Sequence, residues 1–369
     1  MSTINVPVIK RILVIIRRSN GDVLLASPLI QHLHEHYPEA VIDLLVNDDT
    51  LGVAKALQPI RQILVYSYRW KTLPKWERLQ KTFGLMRVLL RRYDLAISLT
   101  ATDSSVLYAL LAARHAISTI EAEPRKNWWK KRLLTGYYLP DPARHTLLNN
   151  LEPLRLLGIP VGKIVPTVHH SASSKAAVLA KLQAATIGQF IIFHPSAQYG
   201  YKVYPEALRH ALLQQLSGLG IPIVVTGAQT ALDLQIKATL PVLANVYDWI
   251  GATSLDEYIA LSNLSLAYVG GDTLNMHIAA AQNKRVFAIF GPTLLGVWSP
   301  WSNALQCNAT HSQPQQIYGN ITVFQADMPC VPCGKKGCDD QQGNSECLQR
   351  IEPSKIFAEV NTWWQQEQV

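Results

Sequence analysis

Two carboxylates in this sequence stand where an apolar strand gives way to a polar turn and a helix. Asp22 follows Ile12-Leu13-Val14-Ile15-Ile16-Arg17-Arg18-Ser19-Asn20-Gly21, and Asp272 follows the strand Leu264 to Val269 and the turn Gly270-Gly271. Open α/β sheets bind ligands at the C-terminal ends of their strands, so both residues stand where substrate chemistry is done. Asp22, just before Val23-Leu24-Leu25-Ala26, can act in two ways: as a helix cap, for which Asp is a favoured type, or as a general base. Asp272, Thr273 and the free N–H groups opening a helix over Thr273 to Ala281 form a ready anion site. His277 lies close to Thr273 by i, i+4 spacing. Taken singly, His277 reads as a satisfied helix histidine and Gly291-Pro292 as an ordinary turn.

The elements that must hold these residues alternate in type. In the first half, strands are expected at about Arg11 to Ile16, Val41 to Val46, Gln62 to Tyr66, Leu95 to Leu99 and Ala116 to Ile120. Helices are expected near Val23 to His36, Thr50 to Ala56, Trp76 to Arg92, Ser105 to Ala113 and Arg144 to Leu157. A Pro- and Ser-rich stretch, from Gly158 through Pro160 and Pro166 to Ser174, marks the domain boundary, with 1–170 before it. The second half, 171–350, repeats the pattern. Its strands are expected at Phe190 to His194, Pro222 to Thr226, Val246 to Trp249, Leu264 to Val269, Val286 to Phe290 and Ala304 to Cys307. Its helices are expected over Lys175 to Ala185, Pro205 to Leu219, Ala231 to Thr239, Leu255 to Leu261 and Leu274 to Ala281, and a last helix over Ser354 to Gln366. Such alternation means parallel sheets covered by helices, an α/β class.

The order and spacing of these motifs resemble family 9 glycosyltransferases, the heptosyltransferases of lipopolysaccharide core assembly. The matching residues are Gly21-Asp22 with Pro28, the block Asp272 to Ala281, and the block Phe290 to Thr293. His194-Pro195-Ser196-Ala197 and the lysine of Tyr201-Lys202-Val203-Tyr204-Pro205 look like the family's donor-phosphate segment. The resemblance covers nearly the whole chain. It implies the GT-B architecture, two facing Rossmann-like domains with a cleft between them, an acceptor-binding domain first and a donor-binding domain second. It also implies that the last helix, 351–369, packs back toward the first domain.

The same resemblance implies an inverting, metal-independent transfer of heptose from ADP-heptose to a sugar of the lipid A-linked inner core. Asp22 would be the base and Arg17, Ser19, Asn20 and Gly21 would line the acceptor site. Lys202 would be the cation facing the leaving diphosphate, helped by Ser196, Thr273 and the helix N-terminus. Ala197, Gln198, Gln229, Thr253, Asp272, Leu274 and His277 would complete the donor site. Leu274 stands where most members have Gly, and Gln229 where some place a glutamate on the ribose. Arg17-Arg18, Tyr68-Arg69-Trp70-Lys71 and Val297-Trp298-Ser299-Pro300-Trp301 look most like the branch that adds a third, side-branch heptose. No cofactor is implied.

Composition agrees with a globular enzyme: 369 residues, 48% hydrophobic and 16% charged, are enough for two cores. No apolar run reaches the roughly 18 to 20 residues of a membrane span. Met1 to Lys10 is polar and the apolar run after it is short, so no signal peptide is expected and the location is cytoplasmic. The net charge of +8 calls for an anionic partner. Lys71, Lys75, Arg78, Lys81, Arg87, Arg91 and Arg92, then Arg125, Lys126, Lys130, Lys131 and Arg132 around Trp128-Trp129, suit an anionic membrane surface, here the cytoplasmic face of the inner membrane. A solvated helix face would account for the first group as well. Nucleic acid is not expected, because no fold signature for it accompanies the charge.

Cys330-x2-Cys333, Cys338 and Cys347 have a spacing that permits a four-thiolate zinc site. Two disulfides are also possible, though disfavoured in a reducing compartment. No metal is assigned. Two rivals to the transferase stay open: a family member using another nucleotide sugar, and a non-catalytic nucleotide-sugar-binding module of envelope assembly. Asp22 divides them, because only an enzyme needs it as a base.

Overall fold

The computed structural model describes Ile4 and residues 8–368, so most of the polar leader Met1 to Lys10 lies outside the described residues. The chain divides into two compact units, 1–168 and 169–369.

The first unit holds a six-stranded parallel sheet in the order β3-β2-β1-β4-β5-β6. Its strands are β1 (Arg11–Ile16), β2 (Val41–Asn47), β3 (Gln62–Tyr66), β4 (Tyr93–Ser98), β5 (Ala113–Thr119) and β6 (Gly136–Tyr138). Ile12 through Ile16 are all buried, because β1 is central and covered on both faces. Leu13 and Ile15 pack with Leu85 and Leu89 of the helix Lys75–Leu89 and with Val106, Ala109 and Ala112 of the helix Asp103–Ala112. The strand order reverses at β1 and β4, which makes the turn after β1 a switch point where a crevice opens.

The second unit holds seven strands in the order β12-β13-β11-β10-β7-β8-β9. These are β7 (Ile191–His194), β8 (Ile223–Gly227), β9 (Val246–Ile250), β10 (Ala267–Gly271), β11 (Arg285–Phe290), β12 (Gln315–Tyr318) and β13 (Ile321–Gln325). All neighbours are parallel except β12 and β13. Its switch point lies between β7 and β10, the two strands that end in the His194 and Asp272 turns. Phe193, Val225, Val269, Phe287 and Ile289 pack with Leu212, Leu213 and Leu216 of the helix Glu206–Ser217.

Several elements differ from expectation. The helix read as Val23 to His36 is two, Asn20–Leu24 and Ser27–His36, with Pro28 in the first turn of the second. Proline belongs in a first turn, where its missing N–H costs nothing. The helix read as Arg144 to Leu157 is likewise two, Thr146–Asn150 and Glu152–Leu157, with Pro153 in the first turn of the second. Ala304 to Cys307 is a turn rather than a strand: Gln306 adopts φ 55 and its N–H donates to the Ser302 carbonyl at 2.8 Å. Ser171 to Ser174 opens a helix, Ala172–Ala184, whose N-cap Ser171 also donates to Asp256 Oδ2 at 2.6 Å. The last helix, Pro353–Glu367, packs in the second unit on the helix Glu206–Ser217, with Ile356 and Val360 in its core and Trp363 edge-on to Phe287.

Candidate functional site

In the second unit every expected donor residue stands at the C-terminal edge of the sheet. Ser196, Ala197, Gln198 and Lys202 follow β7, Gln229 follows β8, Thr253 follows β9, and Asp272, Thr273, Leu274 and His277 follow β10. The centre is an ion pair, Lys202 Nζ to Asp272 Oδ2 at 2.6 Å. Burial alone would lower the Lys202 pKa, but the neighbouring Asp272 more than offsets it and holds the ammonium above its ordinary value.

Backbone approach makes this pair. A Cβ on Gly270 would lie 2.5 Å from the His194 carbonyl oxygen and 2.7 Å from the Tyr268 hydroxyl, so only glycine lets the β10 turn settle against β7. Tyr268, fully buried beneath the turn, donates to the Gly271 carbonyl at 3.1 Å and meets Thr273 Oγ1 at 3.3 Å. Thr273 is the N-cap of the helix Leu274–Ala281 but its side chain makes no cap bond, which leaves the first-turn N–H groups to an anion. Leu274 and Asn275 are half-buried in that first turn.

Two histidines lie under the site. His277 is buried with no hydrogen-bond partner for Nδ1 among the described residues, and burial depresses its pKa to about 4 against the pull of Asp272. His194, also lowered to about 4 by burial, meets Thr226 Oγ1 at 3.0 Å and the Asn275 amide at 3.1 Å. Both are neutral imidazoles near pH 7.

The other expected donor residues are spread along the edge. Ser196 is buried and its hydroxyl bonds to Asp233, which also closes a capping box with Thr230. Gln229 is exposed and donates through Nε2 to the Gly251 carbonyl at 2.9 Å. Thr253 is half-buried just before Ser254, the N-cap of the helix Leu255–Leu264. Ala197 is half-buried and Gln198 exposed. Gln229 and Thr253 thus lie toward the β9 side of the edge, away from the Lys202–Asp272 pair. Tyr268, Asn275 and Asp233 were not anticipated. Of these only Asp233 carries a legible local signal, the Thr-x-x-Asp capping box.

In the first unit, Asp22 is buried at the third position of the helix Asn20–Leu24. Its Oδ2 accepts from the Ser19 N–H at 3.2 Å and from the Ser19 hydroxyl at 2.6 Å, a capping box, and its Oδ1 pairs with Arg18 Nε at 3.0 Å. The N-cap is Ser19, so Asp22 is not the cap its residue type suggested but the capping-box partner three residues on, and that contact holds its side chain against the β1 turn. Asn20 and Gly21 are half-buried in the first turn and Ser19 is exposed. Arg17 is buried: it stacks 3.7 Å from the Tyr66 ring centroid and donates to Ser104 Oγ at 2.7 Å and Ser105 Oγ at 3.2 Å. Its N–H donates to Thr100 Oγ1 at 3.0 Å, tying β1 to the β4 turn.

Among the described residues, no group of three or more His, Cys, Asp or Glu side chains is placed to hold a metal ion. Cys330, Cys333 and Cys338 are exposed thiols, and buried Cys347 has its pKa pushed up to about 11 by desolvation.

Comparison with known proteins places these features. The sequence profile of glycosyltransferase family 9 (heptosyltransferase) matches residues 82–325. The chain is 29% identical to lipopolysaccharide heptosyltransferase 3 of Escherichia coli over 296 residues, covering 78% of this chain and 85% of that one. It is 22% identical to lipopolysaccharide heptosyltransferase 2 of Escherichia coli K12, covering 94% and 97%. An Escherichia coli ADP-heptose lps heptosyltransferase II structure superposes with a TM-score of 0.71 at 21% identity, covering 97% of this chain and 100% of that one. An Escherichia coli heptosyltransferase with ADP-2-deoxy-2-fluoro heptose superposes at 0.69 and 18% identity, covering 95% and 99%. The two Rossmann-like units have the GT-B fold, and the family match makes the protein a glycosyltransferase. The chain belongs to glycosyltransferase family 9, the heptosyltransferases.

Proposed function

We propose that this enzyme transfers heptose from ADP-heptose, with inversion, to a sugar of the lipopolysaccharide inner core. The observation that carries the reading is the Lys202–Asp272 pair beside the uncapped start of the helix Leu274–Ala281. A lysine and free backbone N–H groups are what a departing diphosphate needs, and their electrostatic help grows as charge develops on the leaving oxygen. ADP then leaves with Lys202 as counterion while Asp272 accepts from sugar hydroxyls. Asp22 takes the proton of the acceptor hydroxyl as that oxygen bonds to the anomeric carbon and the bond to the diphosphate breaks. His277, neutral, braces the turn from below. The acceptor is an anionic glycolipid at the cytoplasmic face of a membrane.

The test is Asp22→Asn. Transfer to core acceptor falls by roughly 10²- to 10⁴-fold, the usual worth of a general base. ADP affinity, measured by calorimetry, stays within about twofold, because Asp22 belongs to the first unit and the donor groups to the second. Retained turnover would return Asp22 to a cap alone, and preference for UDP or GDP over ADP would replace heptose as the sugar moved.

A further inference from the structure

The helix Lys75–Leu89 has apolar residues on two faces. Leu85 and Leu89 enter the core of the first unit, with Met86 beside them. Trp76, Leu79 and Phe83, at steps of three and four, share another face and are 76%, 60% and 69% exposed. A helix that packs one apolar stripe needs only one, so the second face is built for a second apolar surrounding. The charges that flank this face are exposed Lys75, one turn before Leu79, and Arg87, one turn after Phe83, with exposed Lys71 just ahead of the helix. Lys75 and Arg87 have no ion-pair partner among the described residues.

The helix Pro124–Leu133 repeats the chemistry. Trp128 is 69% exposed between Arg125, Lys126, Lys131 and Arg132. Trp129 packs on the same core as Leu85 and Leu89, so both helices cover one face of the sheet. Each follows a strand of the parallel sheet, which sets its N-terminal end, and with it Trp76, toward the edge where the Asp22 turn emerges.

We propose that this face docks the protein on an anionic lipid bilayer, Trp76, Leu79, Phe83 and Trp128 entering the headgroup boundary and the lysines and arginines pairing with lipid phosphates. The proposal rests on the reading of a lipid-borne acceptor and supplies the surface that meets it. Tryptophan beside basic residues on an amphipathic helix is the chemistry of an anionic interface. A second copy of the chain would bring the same positive charge to the contact and is disfavoured by repulsion.

Flotation with vesicles tests it. The wild-type protein floats with phosphatidylglycerol–phosphatidylethanolamine vesicles, less so as salt is raised, and stays behind with phosphatidylcholine alone. Trp76→Ser with Leu79→Ser and Phe83→Ser weakens flotation by at least roughly tenfold, and Lys75→Glu with Arg87→Glu does the same by charge alone. Transfer to a delipidated core oligosaccharide in solution is unchanged in both variants. Wild-type protein that ignores anionic vesicles, a triple variant that floats as well as wild type, or a wild-type dimer split by the triple variant overturns the proposal. Flotation without any heptosyl transfer would end the transferase reading and leave the docking surface standing.

Discussion

At the residue scale the site is a set of charges held ready by neighbours rather than by solvent. Lys202 and Asp272 compensate one another at 2.6 Å in a mostly buried setting. Lys202→Met leaves Asp272 without its cation in a place water barely reaches. Stability to urea should fall by about 1–3 kcal/mol, and ADP affinity by roughly tenfold from the lost charge-assisted contact. Asp272→Asn added to that background should restore most of the stability and none of the affinity, which separates folding from binding in one cycle. Arg17 shows the limit of reading residues one at a time. The family resemblance gave it an acceptor role, and in the structure its guanidinium stacks on Tyr66 and donates to Ser104 and Ser105. Nothing local could announce partners 49 to 88 positions away.

At the scale of elements, the two switch-point turns are where the proposed chemistry is placed, and glycine decides how closely one of them is built. Gly270→Ala drives a methyl into the His194 carbonyl and the Tyr268 hydroxyl. Backbone cannot yield as a flexible side chain does, so the variant should lose about 1–3 kcal/mol in thermal or urea unfolding and nucleotide affinity with it. What was legible in the sequence follows from local causes. β1, β3 and the helix Leu274–Ala281 have the bounds expected of them, because apolar runs and small-residue helices declare themselves. The break at Leu25 and Ala26 was hidden by an unbroken apolar pattern, and only Pro28 marked it. β12 and β13 passed unnoticed because a short edge hairpin following a long irregular stretch has little periodicity of its own. The residues proposed for the donor were picked out by motif, whereas the Tyr268 and Asn275 contacts beside them depend on packing across strands.

Across the whole molecule, two buried neutral histidines tie folding of the second unit to pH. Both folded-state pKa values, about 4, lie below the ordinary value near 6.5. As pH falls the unfolded chain takes up these protons first. Their contribution is therefore complete above about pH 6.5 and is lost progressively down to about pH 4. Urea midpoints measured across that window should decline with pH, and His277→Asn should reduce the slope by close to one proton. A slope unchanged by the substitution would mean that the His277 ring is protonated in the native protein.

The Lys202–Asp272 pair also sets what the donor site will ignore. A lone ammonium at a helix start would attract chloride, sulfate or inorganic phosphate. An ammonium already neutralised by a carboxylate gains little from such ions, and the carboxylate repels them. On the proposed reading, a ligand must bring two things at once: phosphate oxygens to claim Lys202 and hydroxyl donors to content Asp272. Polyphosphate without sugar, or sugar without phosphate, satisfies half the pair and strands the other half. The ion pair thus works as a two-part lock against such competitors.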